Sequence, residues 1–299
     1  MRILVFIALI SSAFISQGQT SSKDFYIQAL LRTNKGQYQE AIKFFNRAIE
    51  LKADYSEAFL SRGNAFFKMG KAERAVWDYD RAIELNPDLI KAYNHRAYCY
   101  IDMKDYRRAI EDFSHVIKII PDYSEVYISR GQVHRWKNRF DVAMADFSKA
   151  ISIDPKSHVA MYERSMTYLG KNDTALALVD INNAIVLDMN NPDYLVLRAT
   201  ILHHNKLVKE AKKDNSLALK NDENHVDALI QKANWIILDG KPSKACKTLE
   251  KANGIGSEEA AELLKMHCGP KEEKQAGTKD QKASDKKKSE KKKKGKSDE

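Results

Sequence analysis

Small and aromatic residues recur along this chain at helical spacing, and the whole pattern returns at one fixed step, the distance from Ala41 to Ala75. Within Ser56–Leu89, Phe59, Gly63, Ala65 and Phe66 fall at one helical spacing. Beyond Gly70, Ala75, Val76, Tyr79, Ala82, Ile83 and Leu85 do the same. The spacing predicts two amphipathic helices of roughly 12 residues joined by a short turn. Three ladders of small residues keep the register. The first is Ala41, Ala75, Ala109, Ala143, Ala177, Ala211 and Ala245, and the second is Ala48, Ala82, Val116, Ala150, Ala184, Ala218 and Ala252. The third is Ala29, Gly63, Ala97, Gly131, Ser165, Ala199 and Ala233. Small side chains let two helix axes approach closely, and larger ones from the next unit fill the grooves that remain. Pro87, Pro121 and Pro155 keep the same step and end the second helix of their units, because proline cannot continue it. Seven units follow, over residues 22–55, 56–89, 90–123, 124–157, 158–191, 192–225 and 226–255. One hairpin cannot bury its apolar face alone, so the units are expected to stack in sequence order. After the seventh, Ser257 with Glu258 and Glu259 predicts the N-terminus of a further helix over 256–268. Its polar outer face suits a cap on the open end of the stack.

A charged ladder runs in the same phase. Arg62, Arg96, Arg130, Arg164 and Arg198 each precede an acid by the same interval: Asp78, Asp112, Asp146, Asp180 and Asp214. The midpoints, Gly70, Lys104, Asn138, Asn172 and Lys206, are the turns between helices, so antiparallel helices bring each arginine level with its aspartate. The partner lies in the same unit or across in the neighbouring one. The pairs read either as a stripe for an anionic ligand or as a structural ion-pair ladder, and the second is the expectation. The end units lack the pair, with Gln28 and Phe44 or Lys232 and Thr248 in its place.

Phe59, Gly63, Phe66, Ala75, Tyr79, Ala82 and Pro87 resemble the tetratricopeptide-repeat pattern, as do Tyr93, Ala97, Tyr100, Ala109, Phe113, Val116 and Pro121. A third copy reads Tyr127, Gly131, His134, Ala143, Phe147, Ala150 and Pro155. The outer units drift, with Arg32 and Asn215 at aromatic positions and Ala53 and Met189 where the proline would stand. The resemblance implies an all-α, right-handed superhelical α-solenoid of seven helical hairpins, each of about 34 residues, plus a C-terminal capping helix. It also implies a concave groove lined by the first helix of each unit, where a peptide or protein partner binds. Candidate groove residues are Asn64, Phe67, Asn94, His95, Tyr98, Gln132, Trp136 and Tyr162. Aromatics supply apolar anchors there, and amides hold a ligand backbone. Trp136 is the leading anchor, since rigid aromatics are frequent hot spots. One branch of the family clamps chaperone C-termini through two-carboxylate sites. The matching positions are Leu60, Asn64, His95, Glu125 and Ser129; only Asn64 fits, and Glu125 would repel a carboxylate.

The two ends differ from the repeats. Arg2, the apolar run Ile3–Ile15 and the small residues Ser16 and Gly18 read as a secretory signal peptide over 1–18. Export places the mature protein in a periplasm, on a cell surface or in the medium. Residues 270–299 carry 12 lysines and 7 acids with no aromatic, a disordered composition. Their net +5 is over half of the chain's +9. An alternative function follows from that tail, adhesion to an anionic envelope polymer or lipid surface. Nucleic acid is not the expected ligand, because the repeats show no basic stripe with interleaved aromatics. An oxidising compartment permits a Cys246–Cys268 disulfide, which the spacing leaves open, and Cys99 reads as a buried free thiol. No nucleotide loop, nucleophile elbow or metal-ligand spacing occurs, so no catalytic residue, metal or cofactor is expected. His203 and His204 are adjacent on a helix and point apart. The expected activity is therefore that of a non-enzymatic interaction scaffold.

Overall fold

The structure is a computed structural model that describes residues 21–268. The signal-peptide reading and the lysine-rich tail lie outside those residues. Fifteen helices and no strand are present among the described residues. They are α1 (Ser22–Asn34), α2 (Tyr38–Leu51), α3 (Ser56–Lys68), α4 (Ala72–Leu85), α5 (Ile90–Asp102), α6 (Tyr106–Ile119), α7 (Ser124–Trp136), α8 (Phe140–Ile153), α9 (His158–Gly170) and α10 (Thr174–Leu187). Then come α11 (Pro192–His204), α12 (Val208–Asn221), α13 (Val226–Leu238), α14 (Pro242–Gly254) and α15 (Glu258–Cys268). From α1 to α14, the starts of corresponding helices keep one constant step in the sequence.

Two compact units divide at Met189 and Asn190. In the first, α1 to α10 form five antiparallel hairpins, and the second helix of each packs on the first helix of the next. First helices also meet directly, α1 with α3, α3 with α5 and α7 with α9. In the second unit α11 pairs with α12 and α13 with α14, while α15 covers α14. Each unit is thus an α-solenoid of stacked hairpins.

The turns explain why the hairpins close so uniformly. Gly36, Gly70, Lys104, Asn138, Asn172, Lys206 and Gly240 all have positive φ, between 55° and 77°. Each follows the C-cap of a first helix, and two backbone bonds close the end. In the second repeat Gly70 N–H donates to the Phe67 carbonyl and Lys71 N–H to the Phe66 carbonyl. This is the Schellman arrangement, which satisfies carbonyls the helix leaves unpaired. Glycine and asparagine adopt the left-handed conformation with little strain. Lys104 and Lys206 adopt it at a steric cost.

The small-residue ladders form the hairpin interiors. All of the alanines on them are fully buried, as is Val116. At Gly63 and Gly131 the approach is closer still. A β-carbon there would come within 2.7 Å of the Tyr79 and Phe147 rings respectively. In the sixth repeat Asn215 takes the ring's place, and it is buried because its Nδ2 donates to the Ala228 carbonyl and to Gln231 Oε1. At the end of the chain, Ser257 Oγ accepts from Ala260 N–H and caps α15. Cys246 and Cys268 are joined in a disulfide, with Cα atoms 5.8 Å apart, which ties the last turn of α15 to α14. Cys99 is a buried free thiol.

Candidate functional site

The arginine ladder resolves into a double attachment. Within each repeat the arginine grips its aspartate with two prongs. Arg62 Nε donates to Asp78 Oδ2 at 2.9 Å and Nη2 to Oδ1 at 2.6 Å. Arg96–Asp112, Arg130–Asp146, Arg164–Asp180 and Arg198–Asp214 repeat this geometry. The remaining nitrogen reaches back to the preceding repeat. Nη1 of Arg62, Arg96, Arg130 and Arg164 donates to Asn46, Asp80, Ser114 and Ser148. Those four acceptors themselves keep the repeat step, a polar ladder that is visible in the sequence only once its donors are known. Burial pushes the Asp78 and Asp112 carboxyls up, against the pull of the arginine bonds and charge. The ladder thus links the two helices of each repeat and, through Nη1 of Arg62, Arg96, Arg130 and Arg164, successive repeats.

Five of the groove candidates come together elsewhere. Asn64 and Phe67 on α3 and Asn94, His95 and Tyr98 on α5 line one cavity of 380 Å³. Thr33 from α1, Tyr38 from α2 and Lys68 from α3 complete it. That volume is in the range of ligand pockets. Its walls are aromatic, from Phe67, Tyr38 and Tyr98, and Lys68 is the one formally charged group lining it.

The polar groups in this cavity are held in order. Asn64 Oδ1 accepts from the Tyr79 hydroxyl at 2.8 Å and lies 2.6 Å from His95 Nδ1. A carbonyl oxygen has no proton to give, so Nδ1 carries the hydrogen and His95 Nε2 keeps a lone pair. Burial, with the charges of Lys91 and Lys68, holds the imidazole below its ordinary value, so it is neutral at pH 7. With its oxygen taken twice, Asn64 has only its amide Nδ2 hydrogens to offer a ligand. Asn94 Oδ1 is buried with no hydrogen-bond partner among the described residues. Tyr98 is anchored by a 2.7 Å bond to Ser129 and by an edge contact with Phe113. The cavity therefore holds a donor, an acceptor and aromatic walls, fixed before any ligand arrives.

The other three candidates lie outside it. Gln132 on α7 donates to Glu163 on α9 at 2.8 Å, and Arg135 pairs with the same carboxylate at 3.0 Å. Glu163 is buried, so the three form a link between α7 and α9. Trp136 ends α7 and is 45% exposed, with its ring 6.1 Å from Tyr106. Tyr162 is half-buried on α9. Thr33, Tyr38 and Lys68 were absent from the sequence candidates. Their position near the turns, at the ends of α1 and α3 and the start of α2, carries no signal that they border a cavity. Among the described residues, no group of His, Cys, Asp and Glu is placed to hold a metal ion, and no helix is long and apolar enough to cross a membrane.

Comparison with known proteins places this geometry in context. A family model described as anaphase-promoting complex, cyclosome, subunit 3 matches residues 13–116, and one described as tetratricopeptide repeat matches residues 124–157. Curated protein sequences gave no match. Among solved structures, a tetratricopeptide repeat protein from Parabacteroides merdae is 17% identical, with a TM-score of 0.73, covering 83% of this chain and 99% of that one. The Cut9–Hcn1 hetero-tetramer of the APC/C has a chain 14% identical, with a TM-score of 0.63, covering 81% of this chain and 48% of that one. YrrB, described as a TPR protein with an unusual peptide-binding site, is 19% identical, with a TM-score of 0.51, covering 63% of this chain and 97% of its own. At such identities the structural likeness shows the fold alone.

Proposed function

The chain is a tetratricopeptide-repeat protein, and from that premise we propose that it is a non-enzymatic scaffold that holds an extended peptide segment of a partner in the α1–α3–α5 cavity. The observation that carries this reading is the pairing of fixed polar groups with aromatic walls in one 380 Å³ space. An extended peptide offers a carbonyl and an N–H at each residue. Asn64 Nδ2 can donate to the first and His95 Nε2 can accept from the second, while Phe67 and Tyr38 take apolar side chains. Asn94 lines the same space, and its Oδ1 has no hydrogen-bond partner among the described residues. YrrB supports the reading by analogy, being described as a peptide binder on the same fold.

The compartment we propose is an exported one. The signal-like segment 1–18 motivates it, and the Cys246–Cys268 bond suits an oxidising environment. Fractionation of the source cells, with the N-terminus of the mature chain sequenced, tests this part; an intact residue 1 in the cytosol would sink it.

Peptide display against the purified full chain tests the cavity. Selected peptides are expected to lose binding to Phe67→Ala and Asn94→Ala while far-ultraviolet circular dichroism stays helical. Trp136→Ala, outside the cavity, serves as the comparison. Peptides that bind all of the variants alike would place recognition elsewhere.

A further inference from the structure

The second compact unit contains a cavity of its own, of 460 Å³, between α11, α13 and α15. Its chemistry is the reverse of the first. Asp227 on α13 and Glu259 on α15 are its formally charged lining residues, and no lysine or arginine lines it. Neither carboxylate has an ion-pair partner among the described residues, whereas Asp239 nearby pairs with Lys212. One wall is a stacked pair of rings, His203 over Trp235, with centroids 5.5 Å apart and planes 26° from parallel. Part of the lining is fixed. Gln231 Nε2 donates to Thr200 Oγ1, while its oxygen accepts from Asn215. Leu238, 74% exposed, adds an apolar shelf to the lining.

We propose that this cavity is a second recognition site, which takes an arginine-bearing extended segment of a partner protein. A guanidinium has the features the lining asks for. It pairs with carboxylates through two parallel bonds, and its flat face stacks on an aromatic ring. Its aliphatic stem lies along Leu238 and Ile230, as long charged side chains do on apolar surface. An isolated small cation would leave that apolar shelf unused, and an acidic ligand would meet two uncompensated charges. The chain's net charge of +9 opposes the approach of any cation, so the selection is local to this cavity and not a long-range attraction. The site stands independently of the α1–α3–α5 reading, since it shares no residue with it. Glu259 comes from the first turn of α15, the helix whose last residue, Cys268, is bonded to α14.

The test uses the full chain with a blocked Leu-Arg-Leu-Arg peptide as probe, its Leu-Glu-Leu-Glu counterpart as control, and titration calorimetry as the readout. The arginine peptide is expected to bind and the glutamate peptide not to bind. Asp227→Asn with Glu259→Gln should weaken binding by roughly tenfold or more, with the helical signal unchanged because both residues are exposed. Glu73→Gln, at an exposed position of α4 in the other compact unit that lines neither cavity, should leave it unaltered. Failure of the arginine peptide to bind, or equal binding to the double variant, would overturn the proposal. So would a tenfold gain in affinity when the chain is ended at Cys268, since the occupant would then be the chain's own lysine-rich segment and not a partner.

Discussion

Replacing Arg62 by methionine isolates what the ion-pair ladder contributes. The Arg62 side chain is 13% exposed and that of Asp78 is fully buried. Methionine keeps much of the arginine stem but removes both prongs to Asp78 and the reach to Asn46. It also removes the guanidinium from its place over the Phe59 and Trp77 rings. The dominant consequence is a buried carboxylate without its counter-charge, for which the expected loss is about 3–5 kcal/mol. A second change, Asp78→Leu, removes the orphaned charge and should restore all but about 1–2 kcal/mol of the deficit. Stability is read by urea unfolding, and amide hydrogen exchange along α3 to α5 locates the loss, since a repeat contacts only its neighbours. A pH signature accompanies it. Burial already raises the Asp78 carboxyl above its ordinary value, and losing Arg62 removes the groups that oppose that rise. A raised folded pKa contributes stability that is fully present below the unfolded value and is lost as pH rises through the folded one. The Arg62→Met deficit should therefore shrink on acidification from pH 7 towards the carboxylate range. A deficit below about 1 kcal/mol, in the range of exposed pairs, would refute the argument, as would a double variant no better than the single one.

Three further outcomes follow from other parts of the structure. Burial lowers the His95 and His134 imidazoles below 6.5, so the unfolded chain takes up protons first as pH falls. Stability should drop from pH 6.5 downwards, and thermal melts should show a shallower acid limb for His95→Gln. Opening the Cys246–Cys268 bond, whose cysteines lie 22 residues apart, should cost the second unit about 3 kcal/mol on the chain-entropy model. Faster amide exchange in α15 after mild reduction is the expected readout, and unchanged protection would contradict it. Cys99, pushed up to about 12 by burial and the nearby charge of Asp102, should resist iodoacetamide at pH 8 in the folded chain and react in urea.

Much of the fold was legible in the sequence because its determinants are local. Alanines that recur at one fixed step can serve only as close-packing positions on helices, and a residue such as Gly70 or Asn138 between two such helices marks the left-handed turn. The constant arginine–aspartate interval was legible for the same reason, as reflection about a turn needs no three-dimensional knowledge. Which atoms Arg62 uses was not legible, because Asn46 belongs to a different hairpin and contact across hairpins depends on how they stack. Among the groove candidates, Asn64 and His95 could be named from helix position alone. That they share one hydrogen-bond centre with Tyr79, and that Thr33, Tyr38 and Lys68 close the cavity around them, depends on the angle between neighbouring hairpins.

The sequence by itself determined the order, length and pairing of the helices, since period, turn residue and proline act within a single repeat. Tertiary structure alone decided which polar groups remain unspent. The same asparagine, acid or tryptophan is a structural partner or a free recognition group according to the neighbour that stacking brings to it. That neighbour lies most of a repeat away in the chain, beyond the reach of any local rule: 31 residues separate Asn64 from His95, and 28 separate Arg135 from Glu163.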